Sequence, residues 1–250
     1  MLNDKIKKDK DVVVLTAGTP GAFGMTPERR KELGKNLVDV GIAEEHAVAM
    51  SSALAKGGCK PVFCVWSSFL QRTYDQLSQD LAINNNPAVI LVYAGAISSM
   101  DVTHLGCFDI AMASNIPNIV YLAPTNKDEY LAMLEWGIEQ QSHPVIIRVP
   151  QQVNAAVAPV AQDYGELNKY QVVRQGKDVA VLALGSFFGL GEEVVAQLKE
   201  QGIDATLINP RYVSGLDGKL LNDLKANHKL VVTLENGVLN GGFGEKIARF

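Results

Sequence analysis

The residues best equipped for chemistry stand together where a strand gives way to a helix. In VDVGIAEEHAVAM, Val38 to Met50, an apolar run ends at Val40 and helical periodicity begins near Ala43. Glu44, Glu45 and His46 fall in that first helical turn. Carboxyl groups placed there can share or move protons. They can also do no more than stabilise the positive end of the helix dipole. The four histidines, His46, His104, His143 and His228, share no ligand spacing, and Cys59, Cys64 and Cys107 form no CxxC pair. A metal held by these side chains is therefore not expected. No P-loop, GxSxG, HExxH or full GxGxxG occurs, and Gly189-Leu190-Gly191 is too short a match to count. Gly241-Gly242-Phe243-Gly244 opens a helix. Its backbone N–H groups could hold an anion, or the glycines provide only a tight turn.

The elements that must position these residues alternate along the chain. Strands are expected at Val12 to Thr16, Leu37 to Val40, Pro61 to Trp66, Ala88 to Tyr93, Asn118 to Leu122 and Pro144 to Val149. Helices are expected at Pro27 to Leu33, with Thr26 as cap and Pro27 in first place, and at Ala43 to Lys56, Ser68 to Ala82 and Lys127 to Gln140. Strands apolar throughout, alternating with helices, imply a parallel sheet covered on both faces. From Pro150 to about Gln162 the periodicity is lost, which reads as a linker over residues 151–163. A second α/β unit follows from 164, with strands at Asp178 to Leu184, Ala205 to Asn209 and Leu230 to Leu234, and helices at Gly191 to Gln201 and Gly218 to Ala226. The expected fold is thus two doubly wound, mostly parallel-sheet domains, 1–150 and 164–250. Three strands and a short last helix make the second domain small, so it is expected to be incomplete, with the natural polypeptide running past Phe250.

Composition narrows the class. Of 250 residues, 47% are hydrophobic and 20% charged, which is globular rather than disordered. The net charge of −4 gives no reason to expect a nucleic acid or an acidic membrane as partner. Lys5, Lys7, Lys8 and Lys10 read as a solvated face or a frayed end. The opening MLNDKIKKDK has no apolar stretch behind it, unlike a signal peptide, and the longest apolar run, Ala88 to Ile97, is too short to span a bilayer. Reduced thiols and a cytoplasmic location are expected.

GIAEEHAV (Gly41 to Val48), WSSFLQRTYDQ (Trp66 to Gln76) and AG followed by THLGCFD (Ala94 to Asp109) come in an order and spacing that resemble the 1-deoxy-D-xylulose-5-phosphate synthase family. That family belongs to the transketolase-like thiamine-diphosphate enzymes. The resemblance continues through IPNIVYLAPTNKDE (Ile116 to Glu129), IIRVP (Ile146 to Pro150) and LENGVLNGGFGE (Leu234 to Glu245). It implies that Glu44 sits against the cofactor's aminopyrimidine nitrogen, where a carboxyl group should be largely dehydrated. It implies that Phe69 stacks on that ring, with Trp66 and Arg72 lining the same pocket, although Phe69, Leu70 and Leu77 also fit an ordinary amphipathic core pattern. It implies that His104 faces the substrate. Glu45 replaces the family's usual glutamine.

Elsewhere the chain departs from the family. Tyr93 stands where the family has an arginine for the acceptor's phosphate, and Gln151 stands where it has a second. Asp101 lies one residue from the usual aspartate, with Met100 in its place. The loss of two fork-like donors should weaken a phosphorylated acceptor. No GDG motif is present for Mg²⁺ and the diphosphate. The resemblance therefore implies an amino-terminal diphosphate-binding domain as partner, in a homodimer or complex with the active site at a subunit interface. The implied reaction is decarboxylation of pyruvate and condensation with an aldehyde, glyceraldehyde 3-phosphate or a relative, in isoprenoid-precursor and thiamine biosynthesis. Alternatives are the carboxy-terminal subunit of a split transketolase or of a 2-oxoacid dehydrogenase, and a non-catalytic paralogue.

Overall fold

The computed structural model describes residues 1–96, 102–149 and 159–250. Its first sheet has six parallel strands, β1 (Val12–Thr16), β2 (Leu37–Asp39), β3 (Lys60–Trp66), β4 (Val89–Tyr93), β5 (Val120–Leu122) and β6 (Val145–Arg148), in the order β2-β1-β3-β4-β6-β5. The helices of this unit are α1 (Leu2–Lys8), α2 (Pro27–Leu33), α3 (Glu44–Lys56), α4 (Ser67–Leu70), α5 (Tyr74–Gln76), α6 (Asp109–Ala113) and α7 (Lys127–Glu139). The central strands are built from Val, Ile and Leu runs, which suit a sheet buried on both faces. Val14, Leu15, Phe63, Ile90 and Ile147 are fully buried there. Register aligns the carboxyl ends, with Thr16 opposite Cys64, Trp66 opposite Tyr93 and Val92 opposite Arg148. Side chains at or just beyond those ends therefore share one edge, the usual place for a site in an open α/β sheet.

The second sheet has four strands in the order β10-β8-β9-β7: β7 (Gln171–Arg174), β8 (Val179–Ala183), β9 (Ala205–Asn209) and β10 (Leu230–Leu234). Helices α8 (Phe188–Glu200), α9 (Gly218–Asn227) and α10 (Phe243–Arg249) accompany it. The edge strand β7, not expected from the sequence, runs antiparallel to β9 and makes this sheet mixed. The two units are joined by backbone. Ala123 N–H donates to the Arg211 carbonyl (2.8 Å), and Val213 N–H to the Tyr121 carbonyl (2.7 Å). Residues 211–213 thereby cover the exposed edge at β5, which would otherwise be open to other chains. Of the expected linker, the described part begins at residue 159.

Two further elements differ from expectation. The lysine-rich start is a helix, α1, with Ile6 buried. Lys5 pairs with Glu135 and Glu139, and Lys60 reaches Asp9 and Glu139 at 2.8 Å each. The expected helix over 68–82 is interrupted: α4 passes through a 3₁₀ turn at Gln71–Thr73 into α5 and then a π-helical stretch at Leu77–Ala82. The Thr73 hydroxyl donates to the Leu70 carbonyl (2.8 Å) and the Ser78 hydroxyl to the Asp75 carbonyl (2.9 Å), local bonds that compete with the helical ladder. The irregular winding puts Leu70, Leu77 and Leu81 all into the core. It leaves Phe69 half-buried at the edge of the core and Arg72 exposed, and local π geometry of this kind recurs at functional sites.

Candidate active site

Glu44 is the first residue of α3 and is only 2% exposed. It reaches its place through a tight turn after β2. There Asp39 Oδ1 accepts from Gly18 N–H (2.8 Å) and Gly41 N–H (3.2 Å), and Gly41 takes a φ of 75°, where glycine is favoured. Oε2 of Glu44 lies 3.1 Å from Arg72 Nη1, close enough for an ion pair. Yet this buried oxygen receives no hydrogen bond from any described group, because the guanidinium N–H does not point at it. Arg72 also lies 3.7 Å from Glu45, and its side chain is 48% exposed. Water screens a cation in that position, so the pair contributes little stability.

The aromatic residues gather on the same sheet edge. Trp66 ends β3 and Tyr93 ends the neighbouring β4, with ring centres 5.2 Å apart in an edge-to-face arrangement. Phe23 joins them, 5.9 Å from Tyr93. Phe69, one turn past Trp66 in α4, meets the His104 ring edge-to-face at 5.4 Å. The Nδ1 of that histidine lies 2.9 Å from the Thr103 hydroxyl oxygen. The sequence-expected residues thus fall into three contacting pairs, Glu44–Arg72, Phe69–His104 and Trp66–Tyr93. Asp101 and Gln151 lie outside the described residues.

Sequence reasoning missed the polar network beneath this edge. Arg148, the last residue of β6, is buried and grips Asp109 with two bonds, Nε to Oδ2 at 2.7 Å and Nη2 to Oδ1 at 3.2 Å. The Tyr121 hydroxyl donates to the same carboxylate at 2.6 Å. Burial pushes the Tyr121 phenol well above its ordinary value, and the Asp109 charge pushes the same way. For Arg148, burial opposes the charge, but Asp109 and its neighbours outweigh it and hold the guanidinium protonated. Arg148 Nη2 and the Ser67 hydroxyl both donate to the Gly106 carbonyl, at 3.4 and 3.3 Å. The signal available in sequence was an arginine closing the apolar run VIIR, where a buried charge needs a partner.

The glycine run before α10 does hold an anion, and that anion is the chain's own. Glu235 accepts from Phe243 N–H (3.0 Å) and Gly244 N–H (2.7 Å). Among the described residues no three His, Cys, Asp or Glu side chains converge as a metal site, and no helix is long and apolar enough to cross a membrane.

A parallel six-stranded α/β unit with an acid and aromatic rings at its carboxyl edge is followed by a smaller mixed-sheet α/β unit, which defines a two-unit α/β protein. The chain belongs to the transketolase family: residues 1–155 match the transketolase pyrimidine-binding domain and residues 168–250 the transketolase C-terminal domain. It is 38% identical over 243 residues to a 1-deoxy-D-xylulose-5-phosphate synthase of Heliobacterium modesticaldum, a match over 96% of this chain and 37% of that protein. It is 37% identical over 246 residues to the synthase of Shouchella clausii, covering 98% of this chain and 39% of that one. The chain therefore spans under two fifths of these relatives. In fold it is similar to a split-gene transketolase described as an inactive β4 tetramer, with a TM-score of 0.82 and 21% identity, covering 99% of this chain and 80% of that one. A transketolase variant from Pichia stipitis gives a TM-score of 0.76 at 16% identity, covering 99% of this chain and 42% of that one.

Proposed function

We propose that this chain supplies the aminopyrimidine side of a thiamine-diphosphate site in a transferase that decarboxylates pyruvate and joins the remaining two carbons to an aldehyde. The observation that carries the reading is the buried Glu44 oxygen with no hydrogen-bond partner. Buried acceptors are normally satisfied, and an exception at a sheet edge suits a ligand donor. The residues present fit the pyrimidine half of the cofactor. Phe69 and Trp66 would hold the flat ring, with Arg72 at the rim. When bound, thiamine diphosphate supplies the electron sink that decarboxylation of a 2-oxo acid requires. Glu44, itself only 2% exposed, would hold or accept a proton at the ring nitrogen. His104, fixed against Phe69, would donate to or accept from oxygen atoms of the substrate. Tyr93, Asp101 and Gln151 would contact the acceptor. With tyrosine and glutamine at the two family arginine positions, the acceptor binds without the usual guanidinium grip on a phosphate. The diphosphate and Mg²⁺ would be held by an amino-terminal domain contributed in cis or by a partner, in a homodimer.

The test measures CO₂ release from pyruvate by this chain joined to a diphosphate-binding domain, with thiamine diphosphate and Mg²⁺, with and without glyceraldehyde 3-phosphate. Release stimulated by the aldehyde and abolished by Glu44→Ala is the expected outcome. No release in any mixture would refute the reading. A second reading, one polypeptide of a two-chain transketolase, draws support from the 80% coverage of a split-gene transketolase chain. Turnover of a ketose phosphate in place of pyruvate would favour it.

A further inference from the structure

The buried polar network beneath the candidate site joins the two units of the chain. We infer that Arg148, together with Asn236, is a positioning residue that sets the loop carrying His104. This rests on the role given to His104 above.

All three guanidinium nitrogens are engaged, and together they tether three residues. Nε and Nη2 hold Asp109, Nη2 also reaches the Gly106 carbonyl at 3.4 Å, and Nη1 donates to Asn236 Oδ1. Gly106 and Asp109 follow His104 by two and five residues, so both tethers fall just after it in the chain. The loop has no room to slide. Gly106 N–H donates to the Ala96 carbonyl at 2.9 Å, and a methyl group on Gly106 would stand 2.0 Å from the Ala94 carbonyl oxygen. From the other unit, Asn236 follows β10, and its Nδ2 donates at 3.0 Å to the hydroxyl of Ser186, which follows β8. A movement of the second sheet is therefore transmitted through Asn236 and Arg148 to the segment that holds His104.

A role in core stability alone does not account for this arrangement. An apolar pair of similar volume fills a core at least as well as a buried ion pair. What apolar residues cannot do is aim donors at one particular carbonyl and one particular amide, and that directionality is what fixes a loop.

The test uses this chain with Asn236→Ala, Asn236→Asp and Arg148→Lys. The readouts are amide hydrogen exchange over residues 102–109, the His104 NMR signals with His46, His143 and His228 as controls, and the thermal midpoint. Asn236→Ala should speed exchange over 102–109 by about tenfold or more and move the His104 signals. The amides of β1 and β3 should keep wild-type protection, as expected for a local rather than global opening. Asn236→Asp, which keeps an acceptor facing Arg148, should restore slow exchange. Arg148→Lys keeps the charge but not the fork, so it should loosen the same segment. Wild-type exchange and His104 signals in both Asn236→Ala and Arg148→Lys would overturn the proposal, as would exchange raised equally throughout the chain. None of these readouts needs a cofactor or turnover, so they stand even if the functional reading fails.

Discussion

Replacing Asp109 with alanine is the sharpest test of the energetics. The change strips the counter-charge from Arg148, which is 5% exposed, and removes the acceptor of the Tyr121 hydroxyl. Removing one side of a buried pair costs about 3–5 kcal/mol, because the remaining charge stays in the interior. A buried hydroxyl left without its acceptor costs about 1–3 kcal/mol. Both groups share one carboxylate, so the terms overlap, and a total of about 4–6 kcal/mol is expected. At roughly 2–4 °C per kcal/mol for a chain of this size, the thermal midpoint should fall by roughly 10–20 °C. Urea unfolding followed by the fluorescence of Trp66 and Trp136 and by far-UV circular dichroism measures the loss, and coincident transitions license a two-state treatment. The double variant Asp109→Ala/Arg148→Met should regain much of the loss, since no unpaired charge then remains buried. A single-variant loss below about 1 kcal/mol, or a double variant less stable than the single, would refute the argument that Arg148 depends on Asp109.

Glu44→Gln should leave stability unchanged or raise it, because the carboxylate has a buried oxygen without a hydrogen bond; a loss above about 2 kcal/mol in the same urea assay would make Glu44 structural. Tyr93→Arg, at the end of β4, should lower the KM for a phosphorylated aldehyde about tenfold in the assembled enzyme, and an unchanged KM would place the phosphate elsewhere. Alkaline pH should destabilise the fold. Burial pushes the Cys64 thiol from 9.0 to about 12 and raises the phenols of Tyr121, Tyr130, Tyr164, Tyr170 and Tyr212. The fold therefore favours their neutral forms, so this stability is complete below about pH 9 and is lost as pH climbs towards 12, visible as a falling urea midpoint. At pH 8 a disulfide reagent should label half-exposed Cys59 quickly and buried Cys64 only at the unfolding rate.

The strands were legible where the run is apolar throughout. Val12 to Thr16 and Ala205 to Asn209 are largely buried runs, and Leu230 to Leu234, half-exposed at the sheet edge, still reads as a strand from its β-branched and leucine residues. Helix α2 announced itself through Thr26, whose hydroxyl accepts from Arg29 N–H, and Pro27. What escaped depended on distant contacts. Strand β7 has mixed polarity and exists because β9 pairs with it. Helix α1 is short for an isolated helix, and the burial of Ile6 and the acids of α7 hold it in place. The break in the 67–82 helix follows from hydroxyl back-bonds and the demand of three leucines for the core. Of the candidate site, Glu44, Trp66, Phe69 and His104 could be proposed because each stands in a short contiguous motif. Arg148 could not, because its partner is 39 residues away and on no shared local pattern.

The buried acids separate by how the chain completes them. Four are buried among the described residues: Glu44, Asp109, Glu129 and Asp217. Asp109 has Arg148 and Tyr121. Glu129 accepts from Thr125 N–H and its hydroxyl, both at 2.8 Å, and from Asn209 Nδ2 at 2.9 Å. Asp217 caps α9 through Leu220 N–H at 3.0 Å and takes Tyr170 N–H at 3.1 Å. Each of these three carboxylates has donors on both oxygens, and each ties together segments far apart in sequence. Glu44 differs from them. One of its oxygens is buried without a donor, beside an arginine that faces water. A fold that satisfies three buried acids and leaves an oxygen of the fourth without a donor leaves an acceptor that a ligand's N–H would complete, as the proposed function asks of Glu44.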